Sequence, residues 1–532
     1  MKFFKLIFFL FILGCYGFTS CSTNVSTANQ LSLIPDNATI VFEVNAREVF
    51  AKSGLNSPDD YVLFNMMKQF TDSNISGFLE NFFKGSKDAG INAEKILFYM
   101  TKLQDFAVIV PVIDKKAFEN WLKKADLPEP MDEGDFRFIS IVDNLNMVWN
   151  DNVAMIANAS SREQIAAQIK PKDNGLMATS DDFRQFANKN ADIRLWFNYS
   201  ALMDLYRSII FLRLNPFADE PVDSLFSGLE NLENLSSHSY LNFEDGKITG
   251  KSSFYPPEEV EKFQKKFPIF KKSFNTEILK DMPEQSYLAF NAYFDVGEYI
   301  KILRQNIENM LSGGSMRTPE IEQRSEEMFE FFDSPDLKSV VDALGGDILV
   351  SIHGFNKGLI SYPLASASFT VNGEKAFKDI LKLLPQNLYK KQDGYYETST
   401  SKTYIPIYFA YKSNRVFVSL DLNTVKAFTD EKKGKTFADN PVSKIMTDRM
   451  MFYINLDFAT YPDNIKMLLQ SITGQQRYAI FTSLADIYEY MYFSTDTDYE
   501  VEFNLQLKNK NVNSLKQILK SIDKAGSSSW MK

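Results

Sequence analysis

Two thiols, two imidazoles and a scatter of carboxylates are the groups with which this chain can do chemistry. Cys15 and Cys21 are its two cysteines among 532 residues. Cys21 follows Gly17-Phe18-Thr19-Ser20, behind the positive Lys2 and Lys5 and an apolar run from Leu6 to Leu13. A positive end, a short apolar run and small residues before a cleavage point make up a secretory leader. Ser20 is small enough for a peptidase that cuts before a cysteine carrying diacylglycerol. The chemistry expected here is therefore lipid attachment to the Cys21 sulfur after removal of residues 1–20. Ile12-Leu13-Gly14-Cys15 is a rival box with a shorter apolar region, and cleavage without lipid is a third outcome. The apolar run falls short of the ~20 residues that a transmembrane helix needs.

The remaining reactive groups offer weaker patterns. His238 stands among Ser236, Ser237 and Ser239, but no G-x-S-x-G elbow accompanies it, and a polar loop or strand edge is expected. His353 precedes Gly354 and reads as a turn residue at a strand end. The two are too far apart for a one-helix zinc motif, and neither a phosphate loop nor a dinucleotide fingerprint is present. Asp496, Asp498 and Glu500 alternate like the first ligands of a calcium loop. Val501 stands where such a loop needs glycine and Leu507 where it needs a closing glutamate, so an acidic strand or hairpin turn is expected instead. A carboxylate pair for glycosidic hydrolysis draws its acids from distant strands, and spacing leaves that alternative open. Trp121, Trp149 and Trp196 fall on apolar faces and Trp530 in a serine-rich tail, which gives no exposed sugar platform. Cys21 is thus the one site residue expected, with no catalytic group, metal or cofactor.

The elements that must position these groups repeat. Leu31–Phe42 aligns with Leu279–Phe290: in each a proline and an acid precede a strand, with Ile40, Phe42 and Val44, or Leu288, Phe290 and Ala292, expected to point inward. Lys116-Ala117-Phe118 with Trp121 and Leu122 matches Lys375-Ala376-Phe377 with Ile380 and Leu381, and Asp114 and Asn372 are the expected N-caps. Leu195–Tyr199 matches Phe452–Leu456, each with an Asn inside an aromatic strand. The offsets place a net insertion around Leu311–Ser334. Three matches in one order indicate duplication. Asp151-Asn152, Ser413-Asn414 and Asp245-Gly246 punctuate strand pairs as hairpin turns. Hairpins make antiparallel sheet, so the expected fold is α+β: two tandem copies of a mainly antiparallel sheet unit with helices packed on one face. The expected boundaries are a leader at 1–20, a tether at 21–30, repeat unit 1 at 31–275, repeat unit 2 at 276–525 and a flexible tail at 526–532.

The chain has 58 basic and 68 acidic side chains, a formal charge of −10 that becomes −12 without Lys2 and Lys5. Such a surface repels nucleic acid and anionic headgroups, so the expected membrane contact is the lipid. No acidic cluster follows Cys21, and the protein is expected to face the periplasm from the outer membrane, with surface exposure left open. The leader, Ile34-Pro35-Asp36, Ser53-Gly54-Leu55, Ala89-Gly90-Ile91-Asn92 and Leu344-Gly345-Gly346-Asp347 together resemble the Bacteroidetes lipoproteins grouped as domain of unknown function 4836. That resemblance covers nearly the whole mature chain and implies an envelope lipoprotein, but it carries no catalytic residues over. The reading is a non-catalytic binding or structural module with an envelope protein or glycan partner. The alternatives are a carboxylate-dependent hydrolase of a periplasmic polymer and a periplasmic holdase or inhibitor. Glu320–Phe332, acidic on one side and apolar on the other, is expected to pack within the protein.

Overall fold

A computed structural model describes residues 28–54, 89–199, 235–255, 274–301, 304, 308 and 328–529, less short stretches inside these ranges. The leader with Cys21, most of Leu311–Ser334 and of Glu320–Phe332, Asp496, Asp498 and Trp530 lie outside the described residues. The chain forms two compact units. Unit 1 takes Met1–Pro256, Ala479–Ile487 and Leu507–Lys532, and unit 2 takes Pro257–Tyr478 and Tyr488–Gln506.

The strands described in unit 1 are β1 (Ile40–Val44), β2 (Ile96–Lys102), β3 (Asp105–Pro111), β4 (Met131–Glu133), β5 (Phe136–Val142), β6 (Leu145–Trp149), β7 (Val153–Asn158), β8 (Ile193–Asn198), β9 (Ser236–Glu244) and β10 (Lys247–Tyr255). They pair antiparallel in the order β4-β5-β6-β7-β3-β2-β1-β8-β9-β10. In unit 2 they are β11 (Leu288–Tyr293), β12 (Leu344–Phe355), β13 (Pro363–Val371), β14 (Tyr389–Lys391), β15 (Tyr396–Thr398), β16 (Ile407–Lys412), β17 (Arg415–Ser419), β18 (Met450–Asn455), β19 (Tyr488–Thr495) and β20 (Glu500–Leu507), whose last residue is the first of the C-terminal segment of unit 1. Here the antiparallel order is β14-β15-β16-β17-β13-β12-β11-β18-β19, with β20 beside β19. The protein is mixed α+β. All three expected hairpins form, and at one of them Ser413 and Asn414 hold φ of 49° and 61°, the paired left-handed geometry of a tight two-residue turn.

Helices cover both faces of each sheet, which corrects the one-face expectation. In unit 1, Val148 packs with Ile165 and Phe183 from helices Arg162–Gln168 and Asp181–Ala187. Its neighbour Trp149, on the opposite face, meets Phe118 of helix Lys115–Lys124 edge-on at 5.7 Å. In unit 2, Ala410 packs with Val425 and Phe428 of helix Leu422–Thr429, while Phe409 packs with Phe377 and Leu381 of helix Glu374–Leu383. The strands carry runs such as Leu97-Phe98-Tyr99-Met100, buried at every position, and such runs need cover on both sides. The inward set shifts accordingly. Val41 and Ala289 enter the larger cores, whereas Ile40 and Phe42 pack on the other face.

Local chemistry sets the element ends. Asp114 accepts the Ala117 N–H at 2.9 Å and caps its helix as expected. Asn372 does not cap: its amide donates to the carbonyls of Asp342 and Leu344, and the helix begins at Glu374. Gly90 sits at φ 64°, its carbonyl accepts the Ile113 and Asp114 N–H groups, and a Cβ there would lie 2.1 Å from the Asp114 carbonyl oxygen. Only glycine admits that approach.

The C-terminal segment belongs by packing to unit 1. Asn513 donates to the Phe243 carbonyl at 2.9 Å, Gly246 N–H to the Val512 carbonyl at 2.9 Å, and helix Ser514–Ser529 lies against helix Ala46–Ser53. A packing boundary and a repeat boundary are different quantities, and here the last residues of the expected second repeat complete the first compact unit. Among the described residues no helix is long and apolar enough to cross a membrane.

Candidate functional site

Both histidines are built into sheets. His238 lies within β9, which is paired on both sides, and is 4% exposed. Its ring stands 5.3 Å from that of Tyr240 and 6.1 Å from that of Tyr255. This corrects the loop or edge expectation, because residues on flanking strands, which local sequence cannot reveal, enclose it. His353 is also a strand residue rather than a turn residue, beside the irregular register between Ile352 and Gly354.

His353 belongs to a row of small polar groups across unit 2. Its Nε2 lies 2.8 Å from the Ser366 hydroxyl, which donates to the Ser419 hydroxyl at 2.7 Å. Ser419 donates in turn to the Ala365 carbonyl at 3.4 Å and accepts the Asp421 N–H at 2.9 Å. Because Ser366 spends its proton on Ser419, it accepts from His353, so the imidazole acts as donor at Nε2. A base activating a serine needs the reverse direction. Ser366 is also 3% exposed, inside a strand paired on both sides. Burial pushes the His353 pKa below its usual value, with the Asp421 charge acting the other way. Nearby, Ser351 donates to Ser286 at 2.8 Å, and Ser368 donates to Asp281, which Arg415 meets at 3.0 Å. The alternation Ser366-x-Ser368-x-Thr370 was the available sequence signal for this row.

Ser286 also lines a cavity of about 290 Å³ in unit 2, with Glu284, Gln285, Tyr287, Asn440, Pro441, Tyr453, Asn455, Asp457, Thr460, Glu489 and Tyr490. The strand entry before β11, the central strand β18 and the start of β19 position these groups. Tyr287 donates to the Thr460 carbonyl at 2.9 Å, its ring 4.4 Å from that of Tyr461. Tyr453 and Tyr490 rings lie 5.9 Å apart. Burial pushes the Tyr453 phenol up to about 12, and the Glu489 charge adds to the rise. Burial and then Glu489 raise Tyr490 in the same way. Of the acids, Glu284 meets Lys435 at 3.5 Å and Asp457 accepts the Ala459 N–H at 3.2 Å.

None of the cavity residues was expected as a site. Glu284 through Tyr287 and Tyr453 through Asn455 lay inside the matched segments, where Tyr287 opposite Thr39 was a visible departure. Glu489 carried no signal. Trp121, Trp149 and Trp196 are buried as expected. Among the described residues no group of three or more His, Cys, Asp and Glu could hold a metal, and Asp496 and Asp498 of the calcium-like pattern lie outside them.

The architecture is that of an antiparallel α+β protein with its polar clusters folded into the sheets. The chain belongs to the family described as "Domain of unknown function (DUF4836)", whose profile matches residues 31–515. No curated protein matches it. A solved structure described as "Structure of crystal form I of TP0453" aligns with 42% of this chain and 77% of that chain, at 9% identity and a TM-score of 0.24. That likeness is too slight to argue from.

Proposed function

We propose that the chain is a lipid-anchored, periplasm-facing envelope protein, a non-catalytic binding module that arose by tandem duplication and keeps its ligand site in the unit 2 cavity. One observation carries the reading: the same hydrogen-bond frame recurs in both units while the side chains on it differ. Thr39 N–H bonds the Met100 carbonyl and Asn198 N–H the Thr39 carbonyl, and in unit 2 Tyr287 N–H bonds the Ile352 carbonyl and Asn455 N–H the Tyr287 carbonyl. Likewise Tyr199 N–H bonds the Leu235 carbonyl, and Leu456 N–H the Glu489 carbonyl. The registers Val41 with Tyr99 and Trp196, and Ala289 with Ser351 and Tyr453, correspond in the same way. On this frame unit 1 places Ala38, Thr39, Leu235, Trp196 and Ser236 where unit 2 places Ser286, Tyr287, Glu489, Tyr453 and Tyr490. The polar row diverges too, with Ala107 and Ala157 opposite each other where unit 2 has Ser366 and Ser419. A duplicated scaffold that differs in this way favours a site in one copy over a purely structural role.

Asp457 accepts a backbone N–H at a helix start and Glu284 is in an ion pair with Lys435, which favours the non-catalytic reading over a carboxylate-dependent hydrolase. The anchor is tested by growing cells with labelled palmitate. Wild-type chain is expected to incorporate label and Cys21→Ala none, with the variant released from membranes; label retained in Cys21→Ala overturns the anchor assignment.

A specific observation favours a holdase as the second reading. Helix Asp463–Thr473 has no buried residue, and Met467, Leu468 and Ile472 are 62%, 48% and 73% exposed. An apolar stripe of this kind suits unfolded apolar clients.

A further inference from the structure

We propose that helix Asp463–Thr473 of unit 2 docks on a neutral lipid surface, its Leu468 and Ile472 side chains entering the boundary between headgroups and acyl chains. The inference goes beyond the cavity and rests on the reading of the chain as lipid-anchored, because the anchor keeps a bilayer within constant reach.

Four features select this occupant. First, the face is apolar and open: Met467, Leu468 and Ile472 are exposed, and no residue of the helix is buried. Leu468 and Ile472 stand one turn apart and continue the stripe that Ile465 and Leu469 begin. Second, residues 467–473 carry no charge. Asp463 and Lys466 lie in the first turn and meet each other at 3.7 Å, so the helix is neutral overall. The acidic chain repels anionic lipid, whereas a zwitterionic surface meets a neutral helix without that cost. Third, the hydroxyls on the last turn need no water: Ser471 donates to the Leu468 carbonyl and Thr473 to the Leu469 carbonyl, each at 2.7 Å. Polar groups that enter an apolar phase must be satisfied within the protein in this way. Fourth, the face is small. A helix of 11 residues is ~16 Å long and ~10 Å across, so one side of it covers on the order of 200 Å². A stable protein interface needs about 800 Å² per partner, and it is anchored by Trp, Tyr and Arg side chains, of which this stripe has none. Such a face suits shallow insertion, ~5–10 Å deep, made effective by an anchor that holds the bilayer at high local concentration.

The test uses the thiols of the mature chain. With Cys15 removed in the leader and Cys21 acylated, Ile472→Cys supplies a single thiol for an environment-sensitive fluorophore. Lys375→Cys, on the exposed side of helix Glu374–Leu383, supplies the control. Each labelled full chain is reconstituted from detergent into phosphatidylcholine vesicles, with and without a nitroxide placed high on the acyl chain. Quenching at position 472 is expected to exceed that at position 375 by about twofold or more. Leu468→Lys is expected to bring it down to the control value with melting temperature unchanged. Equal quenching at the two positions, or quenching indifferent to Leu468→Lys, overturns the inference. A blue shift at position 472 without nitroxide quenching also overturns it: a shift that grows with protein concentration assigns the face to a second copy, and one that needs an added unfolded client assigns it to the holdase reading. Label taken up by the wild-type chain reveals an unacylated Cys21 and overturns the anchor reading together with the inference.

Discussion

The imidazole of His353 shows how much a buried polar group depends on its surroundings. It is held by one serine hydroxyl, largely out of water, and its folded-state pKa is depressed by that burial. A depressed histidine is neutral in the fold but takes up a proton on unfolding, so the unfolded chain binds more protons below the ordinary histidine pKa. The stability associated with neutral His353 is thus present above that value and lost as pH falls through the folded pKa. Denaturant titrations of the wild type are expected to show the loss on acidification, and His353→Gln to flatten it. An equal slope in the two proteins would show that His353 does not titrate with unfolding. Arg194 presents the opposite solution. Fully buried, it pairs with Glu43 through one terminal nitrogen and donates from the other to the carbonyls of Phe186, Ala187 and Lys189, so both ends of the fork are matched inside the fold while Nε has no hydrogen-bond partner among the described residues.

At the scale of elements, the faces decide what each helix does. Helix Glu374–Leu383 buries Phe377 and Leu381 and leaves Lys378 and Lys382 exposed, each beside an acid on its own helix. Helix Asp463–Thr473 is built on the same periodicity, with Ile465, Leu468, Leu469 and Ile472 at three- and four-residue spacing, yet none of these is fully buried. An exposed apolar side chain contributes little to folding, so Ile472→Lys is expected to change stability by less than about 0.5 kcal/mol. If the holdase reading holds, the same substitution is expected to lower suppression of aggregation of a reduced, unfolded client. Unchanged suppression, or none in the wild type, removes that reading. Periodicity marked these helices as amphipathic, but the presence of a partner for the apolar stripe depends on residues far away in the chain.

The whole molecule closes unit 1 with its own last residues. The Asn513 clasp on Phe243, the Gly246–Val512 contact and helix Ser514–Ser529 against Ala46–Ser53 join segments more than two hundred positions apart. Truncation after Gln506 is expected to speed hydrogen exchange at least about tenfold in β9, β10 and Ala46–Ser53, with β12 and β13 unaffected. Uniform acceleration throughout, or protection lost first in β12 and β13, would contradict the partition into units.

The amino-acid sequence alone determined the hairpins at Asp151-Asn152, Asp245-Gly246 and Ser413-Asn414, the apolar placement of Trp121, Trp149 and Trp196, the Asp114 cap and the antiparallel α+β class. Each follows from backbone preference or from a side-chain period of two or 3.6, and both act over a few residues. Tertiary structure alone decided that both sheet faces are covered, that His238 is interior, that the chain's end packs with unit 1, and that Glu489 meets Tyr287 and Tyr453 around one cavity. These outcomes depend on which distant segments pair, and strand pairing joins residues whose separation in the chain leaves no local trace.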